Sequence, residues 1–538
     1  MTYDLRFEPW LPFRRASGTV EWLPPFAITD RIDDNPIVAL ACPRPDFDAA
    51  VTETLIGLLS IALAPANETG WAKLWREPPS PKSLRKALAS LPDAFALDGN
   101  GPRAFQDLNP LAAAEPNPIE ALLIDAPGDQ TTKFNKDLFV KRGRIPELGR
   151  PAAAMALITM QTYAPTGGQG HRTSMRGGGP LMTIVEPRAR PQEEPLWRLI
   201  WANAETQDQM DARDGDKACA WEAHDRFPWL KRTRTSNGKK KGRPTYPVDA
   251  APEQVYFGLP RRIRLEFQEG RCTCALTGRD DDARVVSFRM ENYGVQYLGW
   301  IHPLTPYYHD KKSGLLPVHG QAGGVGWRDW QGLLFDSAEV DGSRPAQTVS
   351  QFGGRRAVGP FRLIAAGYDM DNMKARGWVQ AELPAFPKNE LERTRSFAAG
   401  ATAAADKTAG LVVFFVKSGL FQNPKDAPGD FSHLKHSVWA GTQAAFFQIV
   451  DEIAKGKTVE GPELREKFRK HLRDVSLLIF DLACPLDGLP TGEMRRPIAA
   501  RHSLIMALEG YGQAGVSLFK ALGLAAPEVG KLKKGKAA

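Results

Sequence analysis

Residues 1–40 alternate between apolar and polar side chains, and a turn at Ser17-Gly18 separates two such stretches. A pattern of period two on both sides of a glycine turn predicts a β-hairpin. The second stretch is Thr19–Trp22. The apolar positions that define the first stretch are Phe7, Trp10, Leu11 and Phe13.

Helical spacing replaces this alternation in several later segments, where apolar residues recur every three or four positions. The longest of them contains Pro78, Pro79 and Pro81, so we expect it to be broken there. Leu181–Val185 and much of Arg261–Val318 are rich in strand-forming residues and are predicted to be extended. The predicted helices cover Asp46–Leu63, Trp71–Leu91, Ala112–Asp125, Ala152–Thr162 and Leu196–Ala202.

From about residue 388 the helical spacing continues over longer stretches. Asp430 is a suitable N-cap for one helix, and Pro462 suits the first turn of the next. Four long helices with short Gly-, Pro- and Asp-containing connections favour an antiparallel four-helix bundle. The predicted helices are Asn389–Phe415, one that begins after Asp430, one that begins at Pro462, and Pro497–Leu522.

The 538-residue chain is long for a single core, so we expect two or more domains. Its net charge of +8 favours a polyanionic partner, contacted through local basic patches. Five scattered cysteines argue against a disulfide framework and for a reducing compartment. Since there is no N-terminal signal pattern and no apolar run long enough to span a bilayer, we expect a cytoplasmic protein without a membrane partner.

The most unusual segment is Ala164–Pro180, APTGGQGHRTSMRGGGP, in which six of seventeen residues are glycine. Glycine lets the main chain approach a ligand closely. His171, Arg172 and Arg176 lie between the two glycine groups, and arginine suits phosphate oxygens or base edges. No Gly-Lys-Ser/Thr closes the segment, so it is not a P-loop. From composition alone, a surface loop with favourable turn chemistry is an equally good interpretation.

Two further segments are strongly basic. Thr131–Arg144 carries five Lys or Arg residues together with Phe134 and Phe139, a combination that suits contact with nucleic acid. Lys231–Arg243 carries seven basic residues in thirteen and is predicted to be a mobile loop, too polar to pack. A plain solvated loop is the alternative in both cases, whereas a sequence-independent phosphate contact is the functional interpretation.

No catalytic motif is present: the chain contains no HExxH, GxSxG or Walker sequence. A metal-dependent nuclease that uses Asp280–Asp282 with His302 or His309 is an alternative hypothesis, although a solvated acidic turn is the default interpretation of the aspartates. A scaffold that binds only protein is another. Cys272 and Cys274 could form half of a zinc site, but no second cysteine pair accompanies them, so we expect no metal.

With these residues in view, the chain resembles the CasA family (Cse family), the large subunits of the type I-E CRISPR surveillance complex Cascade. The resemblance covers nearly the whole length, and its most specific part is the glycine-rich segment. The matching stretches are FEPWLPFR (7–14), GTVEWL (18–23), IALAPA (61–66), DLFVKRGR (137–144), APTGGQGHRTSMRGGGP (164–180) and VSQFGG (349–354).

The resemblance implies an α+β fold: a large mixed α/β domain (1–387), a C-terminal antiparallel four-helix bundle (388–530) and a basic tail (531–538). It also implies a DNA-binding protein with no catalysis and no cofactor. Members of the family recognise the protospacer-adjacent motif (PAM) in double-stranded DNA from the minor groove and start strand separation. The implied partners are target DNA, the CRISPR guide RNA, the backbone, 5′-handle and small subunits, and a helicase–nuclease.

Three implied contact elements can be placed on this sequence. A glycine loop would lie in the minor groove, and a glutamine wedge at the tip of a predicted β-hairpin would separate the first base pair. A third loop, Asn135–Arg144, would contact the 5′ end of the guide and the next backbone subunit through Phe139 and Lys141, or in another register through Phe134 and Asn135. The loop and wedge residues are Gly167, Gly168, Gln169, Gly170, His171, Arg172 and Arg176, and Ser350, Gln351 and Phe352; those of the third loop are Phe134, Asn135, Phe139, Lys141 and Arg142.

The chain departs from its relatives in two respects. A lysine that often reaches the minor groove in the segment equivalent to Phe288–Tyr293 is replaced here by Asn292 or Glu291, with Arg289 nearby. The PAM preference is therefore expected to differ within the limits of the minor groove, which distinguishes little beyond A·T from G·C. The first of two zinc-binding cysteine pairs found in some relatives is also missing.

Overall fold

The computed structural model describes residues 2–138, 140–187, 194–214, 221–337, 342–355, 361–371, 374–487, 490 and 492–527. The chain forms two compact units. The first comprises Met1–Gly324 and Gly332–Glu382, and the second comprises Val325–Gln331 and Leu383–Ala538. The second unit thus includes a short segment from the middle of the chain, which the sequence pattern did not indicate. The basic tail proposed for 531–538 lies outside the described residues.

Thirteen strands occur in the described ranges, and they form four small sheets rather than one large one. The strand orders are β2-β1-β3, β10-β9-β11, β13-β12-β6 and β4-β8-β5, with β7 paired to β8. The strands are β1 Leu11–Arg15, β2 Val20–Leu23, β3 Ile37–Leu40, β4 Pro116–Pro118, β5 Leu148–Gly149, β6 Met182–Pro187, β7 Arg262–Thr273, β8 Asp280–Glu291, β9 Tyr307–Asp310, β10 Gly314–Pro317, β11 Ser343–Arg344, β12 Phe361–Asp371 and β13 Lys374–Ala385.

The α-helices of the described part fall into two groups, those before Ala385 and those after it. The earlier ones are α1 Pro45–Leu63, α2 Glu68–Arg76, α3 Pro81–Ala89, α4 Asp129–Lys133, α5 Arg150–Tyr163, α6 Leu196–Ala202, α7 Gln207–Asp214, α8 Ala223–Arg226, α9 Trp327–Leu334 and α10 Gln347–Gly354. The later ones are α11 Lys388–Leu420, α12 Ser432–Ala454, α13 Pro462–Ala483, α14 Arg495–Leu508 and α15 Gly512–Leu522.

The predicted N-terminal hairpin is confirmed. β1 pairs antiparallel with β2 from Leu11 opposite Leu23 to Arg14 opposite Val20. Leu11 and Phe13 are fully buried, as expected for the apolar positions of a strand with one face in the core. β3 adds a third strand to the other side of β1.

The helices predicted from strong apolar periodicity are confirmed to within a few residues at their ends. α1, α5 and α6 occupy the predicted segments, and β6 covers the strand predicted at 181–185. The segment 71–91 is broken at its prolines as expected, into α2 and α3. Pro81 stands in the first turn of α3, where the missing N–H has no helical partner to lose.

The helix predicted over Ala112–Asp125 is wrong. This segment instead contains the short strand β4 and a 3-10 helix, Ile119–Leu122. Pro116 and Pro118 cannot donate backbone hydrogen bonds, which prevents a continuous helix but is tolerated on the short strand that pairs with β8.

β7 and β8 form a long antiparallel ribbon, and Asp280–Asp282 lie at the start of β8 rather than in the predicted acidic turn. Asp281 accepts hydrogen bonds from Arg150 and pairs with its guanidinium at 2.6 Å. Asp280 pairs with Arg271 and accepts from Thr273. These carboxylates are therefore used to hold neighbouring segments together.

The second unit contains five helices after residue 383 within the described ranges, rather than the predicted four. The helix predicted over Pro497–Leu522 is interrupted at 509–511 and forms α14 and α15. The unit also takes in Trp327 and Trp330 from α9. Trp327 stacks on Phe446 and donates its indole N–H to the carbonyl of Trp439.

The central helix of this unit is α11, which packs against α12, α13, α14 and α15. By length and composition alone, α11 could also cross a bilayer. The core helix of a helical protein satisfies the same test, and α11 has other helices of the unit on several sides.

Candidate nucleic-acid interface

The glycine-rich segment leaves the end of α5 and forms an exposed turn. Gly168 and Gly170 have φ angles of +76° and +81°, in the left-handed region that favours glycine. Gly168 and Gln169 are exposed to solvent. The amide of His171 donates to the carbonyl of Gly168 at 3.3 Å and closes the turn. The main chain at 167–170 is thus presented on the surface in a defined conformation.

One side of this turn rests on the residues that follow β8. The amide of Tyr293 donates to the carbonyl of Gly170 at 2.7 Å. A Cβ at Gly170 would lie 2.9 Å from the Cβ of Asn292 and 3.1 Å from the ring of Tyr293, whereas a Cβ at Gly168 would meet nothing within 4 Å. Two of the elements predicted to contact DNA, the glycine turn and Asn292, are therefore neighbours in space.

Both ends of the glycine-rich segment are held by one buried carboxylate, Glu53 of α1. The hydroxyl of Tyr163, just before the segment, donates to Glu53 at 3.0 Å. Arg176, within it, donates to Glu53 at 2.7 Å and to the hydroxyl of Thr305 at 2.8 Å. The side chains of Glu53 and Arg176 are 5% and 3% exposed, so this is a buried ion pair with its hydrogen bonds satisfied.

Burial raises the pKa of Glu53 above its ordinary value, and the charge and hydrogen bonds of Arg176 oppose that shift. His302 lies beside the pair, with Nε2 3.7 Å from a Glu53 oxygen. The amide of Leu304 donates to Nδ1 of His302 at 3.1 Å, which requires an unprotonated nitrogen there. Burial, with the charges of Arg176 and Arg213, holds the pKa of His302 well below its ordinary value. His302 is therefore neutral.

The expectation that Arg176 contacts DNA is wrong, because its guanidinium is buried on Glu53. Arg172 is half-buried: its Nε donates to the hydroxyl of Ser236 at 2.7 Å, and its guanidinium lies 5.8 Å from the ring centroid of Tyr293. His171 is also half-buried, and burial together with the charge of Arg261 lowers its pKa. The basic side chains of the segment thus mostly support the turn.

Gln351 does not lie at the tip of a β-hairpin as predicted; residues 347–354 form helix α10. Thr348, Val349 and Phe352 share the buried face. Val349 and Phe352 lie one and four positions after Thr348, which fits a helix and not a strand. Ser350 is exposed and Gln351 is partly exposed. Phe352 is fully buried and packs edge-on against Phe361, so it cannot contact DNA directly.

Helix α10 and the glycine-rich segment share a support, the stretch 302–305. The amide of Thr348 donates to the carbonyl of Pro303 at 3.2 Å, and Thr305 accepts the hydrogen bond from Arg176. At the other end of α10, Arg355 lies 3.7 Å above the ring of Trp71 and donates to Glu68 and to a backbone carbonyl. The helix that carries Gln351 is therefore fixed at both ends.

The segment predicted to contact guide RNA, Asn135–Arg144, follows α4, and its described residues are largely exposed. Phe134 is 59% exposed, and the ammonium groups of Lys133 and Lys136 lie over its ring at 5.9 and 5.4 Å. Arg142 is paired with Asp137 at 2.5 Å. The guanidinium of Arg142 also donates to the side chain of Asn135, whose φ is +50°. The side chain of Lys141 is exposed. Phe139 lies outside the described residues.

Arg289, expected near the lysine position of relatives, pairs with Glu266 at 2.6 Å and donates to backbone carbonyls of 112 and 114. Its guanidinium is thus engaged in the sheet. No group of three or more His, Cys, Asp or Glu side chains that could hold a metal occurs among the described residues. Cys272 and Cys274 are buried, and burial raises the pKa of the Cys272 thiol to about 11.

Sequence reasoning missed the residues that hold the turn. Glu53 carries one detectable signal: it is an acidic residue inside the apolar run of α1, between Val51 and Leu55. Tyr163, Ser236 and Thr305 carry none, because uncharged polar residues in loops and at helix ends have many uses.

Solved CRISPR-associated proteins from several organisms have this fold. The chain matches Thermobifida fusca Cse1 with a TM-score of 0.69 at 16% identity, covering 98% of this chain and 99% of that one. It matches Thermus thermophilus CasA (Cse1) with a TM-score of 0.66 at 18% identity, covering 94% and 100%. A chain of a CRISPR RNA-guided surveillance complex matches with a TM-score of 0.68 at 17% identity, covering 94% and 99%.

These likenesses define the fold as that of CRISPR-associated proteins. A family model then matches residues 4–479, and the chain belongs to the CRISPR-associated protein Cse1 family. The resemblance found in the sequence is thereby confirmed.

Glu53→Gln is expected to destabilise the first unit by about 3–5 kcal/mol, because it leaves the Arg176 guanidinium buried without a counter-charge. The double variant Glu53→Gln/Arg176→Met should be less destabilised than the sum of the single changes. Urea unfolding of the four proteins in this cycle measures the coupling. The exposed Glu463→Gln is the control, and additive effects would contradict the ion-pair account.

Stability is expected to fall as the pH drops below about 6.5, the ordinary pKa of histidine. The pKa of His302 is depressed in the folded chain, so the unfolded chain binds the proton first, and each such proton costs up to about 1.4 kcal/mol per pH unit. His302→Gln should flatten the pH dependence of urea unfolding between pH 6.5 and 5 without removing it, since burial also lowers the pKa of His171 and His319. The exposed His502→Gln should leave the slope as in the wild type.

Proposed function

We propose that this chain is the non-catalytic large subunit of a type I-E CRISPR RNA-guided surveillance complex, and that it recognises the PAM of double-stranded DNA from the minor groove. The observation that carries the proposal is the exposed main chain at 167–170 beside Asn292. Membership of the Cse1 family and the likeness to a chain of a CRISPR RNA-guided surveillance complex support the same role.

The geometry of the turn suits the minor groove, which is about 6 Å wide and presents acceptors from A·T pairs plus one donor from G·C pairs. Backbone N–H and C=O groups at 167–170 can enter a groove that a bulky side chain would block. The amide of Asn292, next to Gly170, can both donate and accept a hydrogen bond, whereas a lysine can only donate. Asn292 is therefore suited to read a pair that lysine-bearing relatives read differently.

Strand opening is assigned to Gln351. A side chain inserted between base pairs unstacks them at a cost of a few kcal/mol, so it must come from a rigid support. α10 supplies one, since Phe352 is buried beneath it and Arg355 holds its end. Pairing of the guide RNA with the target strand is nearly balanced against the lost DNA pairing, so a small contribution from the protein can tip the exchange.

The remaining partners follow from the family. The segment Asn135–Arg144, with Lys141, and the exposed Phe134 just before it are assigned to the guide RNA and the neighbouring backbone subunit, where an aromatic ring can stack on a base. The 5′-handle and small subunits complete the complex, and the helicase–nuclease is recruited to it to degrade the target. No cofactor is assigned.

Gly168→Leu is expected to reduce affinity for a PAM-bearing duplex roughly ten-fold or more, about 1.4 kcal/mol, because the added side chain blocks the groove. Gly18→Leu is the matched control: Gly18 also has a positive φ (+87°), and its Cβ would also meet nothing within 4 Å. Both variants carry a similar backbone strain, so only DNA contact separates them. Equal binding by the two assembled complexes would remove the glycine turn from the site.

Gln351→Ala is expected to slow R-loop formation on supercoiled target DNA roughly ten-fold while initial binding of the PAM duplex changes little, because the wedge acts only at strand separation. The exposed Gln513→Ala on α15 is the control. Permanganate footprinting of unpaired thymines measures opening, and a band-shift assay on a PAM duplex measures binding. Opening at the wild-type rate would contradict the wedge assignment.

A further inference from the structure

We propose that Lys231–Arg243 is a basic arm that binds the phosphate backbone of the duplex beside the glycine turn, without reading sequence. This inference rests on the proposed PAM-binding role of the turn. It assigns a function to a strongly basic segment that has no part in the proposed roles of the glycine turn and Gln351.

The arm is attached directly to the glycine turn. Ser236 of the arm is buried and accepts a hydrogen bond from Arg172 at 2.7 Å. The amide of Ser236 donates to the carbonyl of Tyr293 at 3.2 Å, and the amide of Tyr293 donates to Gly170. The turn, the segment 292–294 and the arm therefore form one hydrogen-bonded unit.

The arm is also folded, contrary to the expectation of a mobile loop too polar to pack. The amide of Gly242 donates to the carbonyl of Asn237 at 2.8 Å, and that of Arg243 donates to Thr235 at 3.1 Å. The side chain of Asn237 accepts from the amide of Lys239 at 3.1 Å. These bonds close a loop whose tip, 239–241, is held close to Ser236.

The charges of the arm divide into two sets. Lys231 pairs with Asp225 at 2.7 Å, and Arg234 and Arg243 pair with Asp249 at 3.0 and 3.5 Å, so these three hold the base of the arm in place. Arg232, Lys239 and Lys241 have exposed side chains, and within the described ranges none has an acidic partner within 4 Å. Their positive charge is available to an external anion.

A duplex seated on the glycine turn supplies that anion. The tip of the arm is three to five residues from Ser236, a span of at most about 10–18 Å. B-DNA carries one phosphate charge per about 1.7 Å of axis, so several phosphates on the strands that border the minor groove lie within that span. A lysine contact to phosphate carries no sequence information, and the arm therefore adds affinity to every duplex alike.

The test compares two assembled complexes with the same loss of charge. One carries Arg232→Gln/Lys239→Gln/Lys241→Gln, and the matched control carries Lys73→Gln/Lys82→Gln/Lys86→Gln, three exposed lysines of α2 and α3. The dissociation constant is measured for a PAM duplex and for a duplex without a PAM, from 50 to 300 mM salt.

The arm variant should lower the slope of log affinity against log salt by about 2–3, near 0.9 for each lost phosphate contact, on both duplexes. The control should retain the wild-type slope, and both variants should retain the wild-type ratio of affinities for the two duplexes. An unchanged slope in the arm variant would overturn the inference, as would loss of guide RNA from the complex without a change in the DNA slope. Failure of the proposed function is separately visible, because the wild-type complex would then show no preference for the PAM duplex.

Discussion

The buried pair between Glu53 and Arg176 is the interaction on which the candidate interface depends. A glycine-rich segment has little side-chain packing of its own, and ordering it is entropically expensive. Glu53 offsets this entropic cost because it accepts hydrogen bonds from Tyr163 and Arg176, on either side of the turn. Because an unpaired charge in the core is very unfavourable, the pair admits few alternative arrangements. The exposed turn between its two anchors is correspondingly well defined.

The same support extends to α10. The stretch 302–305 contributes Thr305 to the arginine and the carbonyl of Pro303 to Thr348 at the start of the helix. Reading a groove and separating the adjacent base pair require two surfaces held in a fixed relation. A shared buried stretch provides such a relation within the first unit, without requiring the turn and α10 to touch.

The spacing of apolar residues predicted those elements whose buried residues recur regularly within one short segment of the chain. The hairpin at 11–23 and helix α1 belong to this class, since a regular apolar period reports directly on burial. Arg176 could not be assigned, because its partner Glu53 lies 123 positions earlier and a glycine-rich segment looks the same whether its arginine faces solvent or a carboxylate. The error at α10 has a different origin. The β-hairpin came with the wedge that the family resemblance implies, although the spacing of Val349 and Phe352 already indicated a helix.

The arrangement of charge around the turn supports a division of labour in the proposed function. Arg176 is paired with Glu53, Arg172 donates to Ser236, and Asn292 or Glu291 stands where the resemblance places the lysine of relatives. The arginines of the segment are therefore engaged within the protein, and hydrogen bonds from the exposed main chain can discriminate between pairs. The exposed cations of the arm at 231–243 are attached where they can add attraction to phosphate. Separating phosphate binding from base reading lets a complex bind any duplex DNA transiently and still open it only at a PAM.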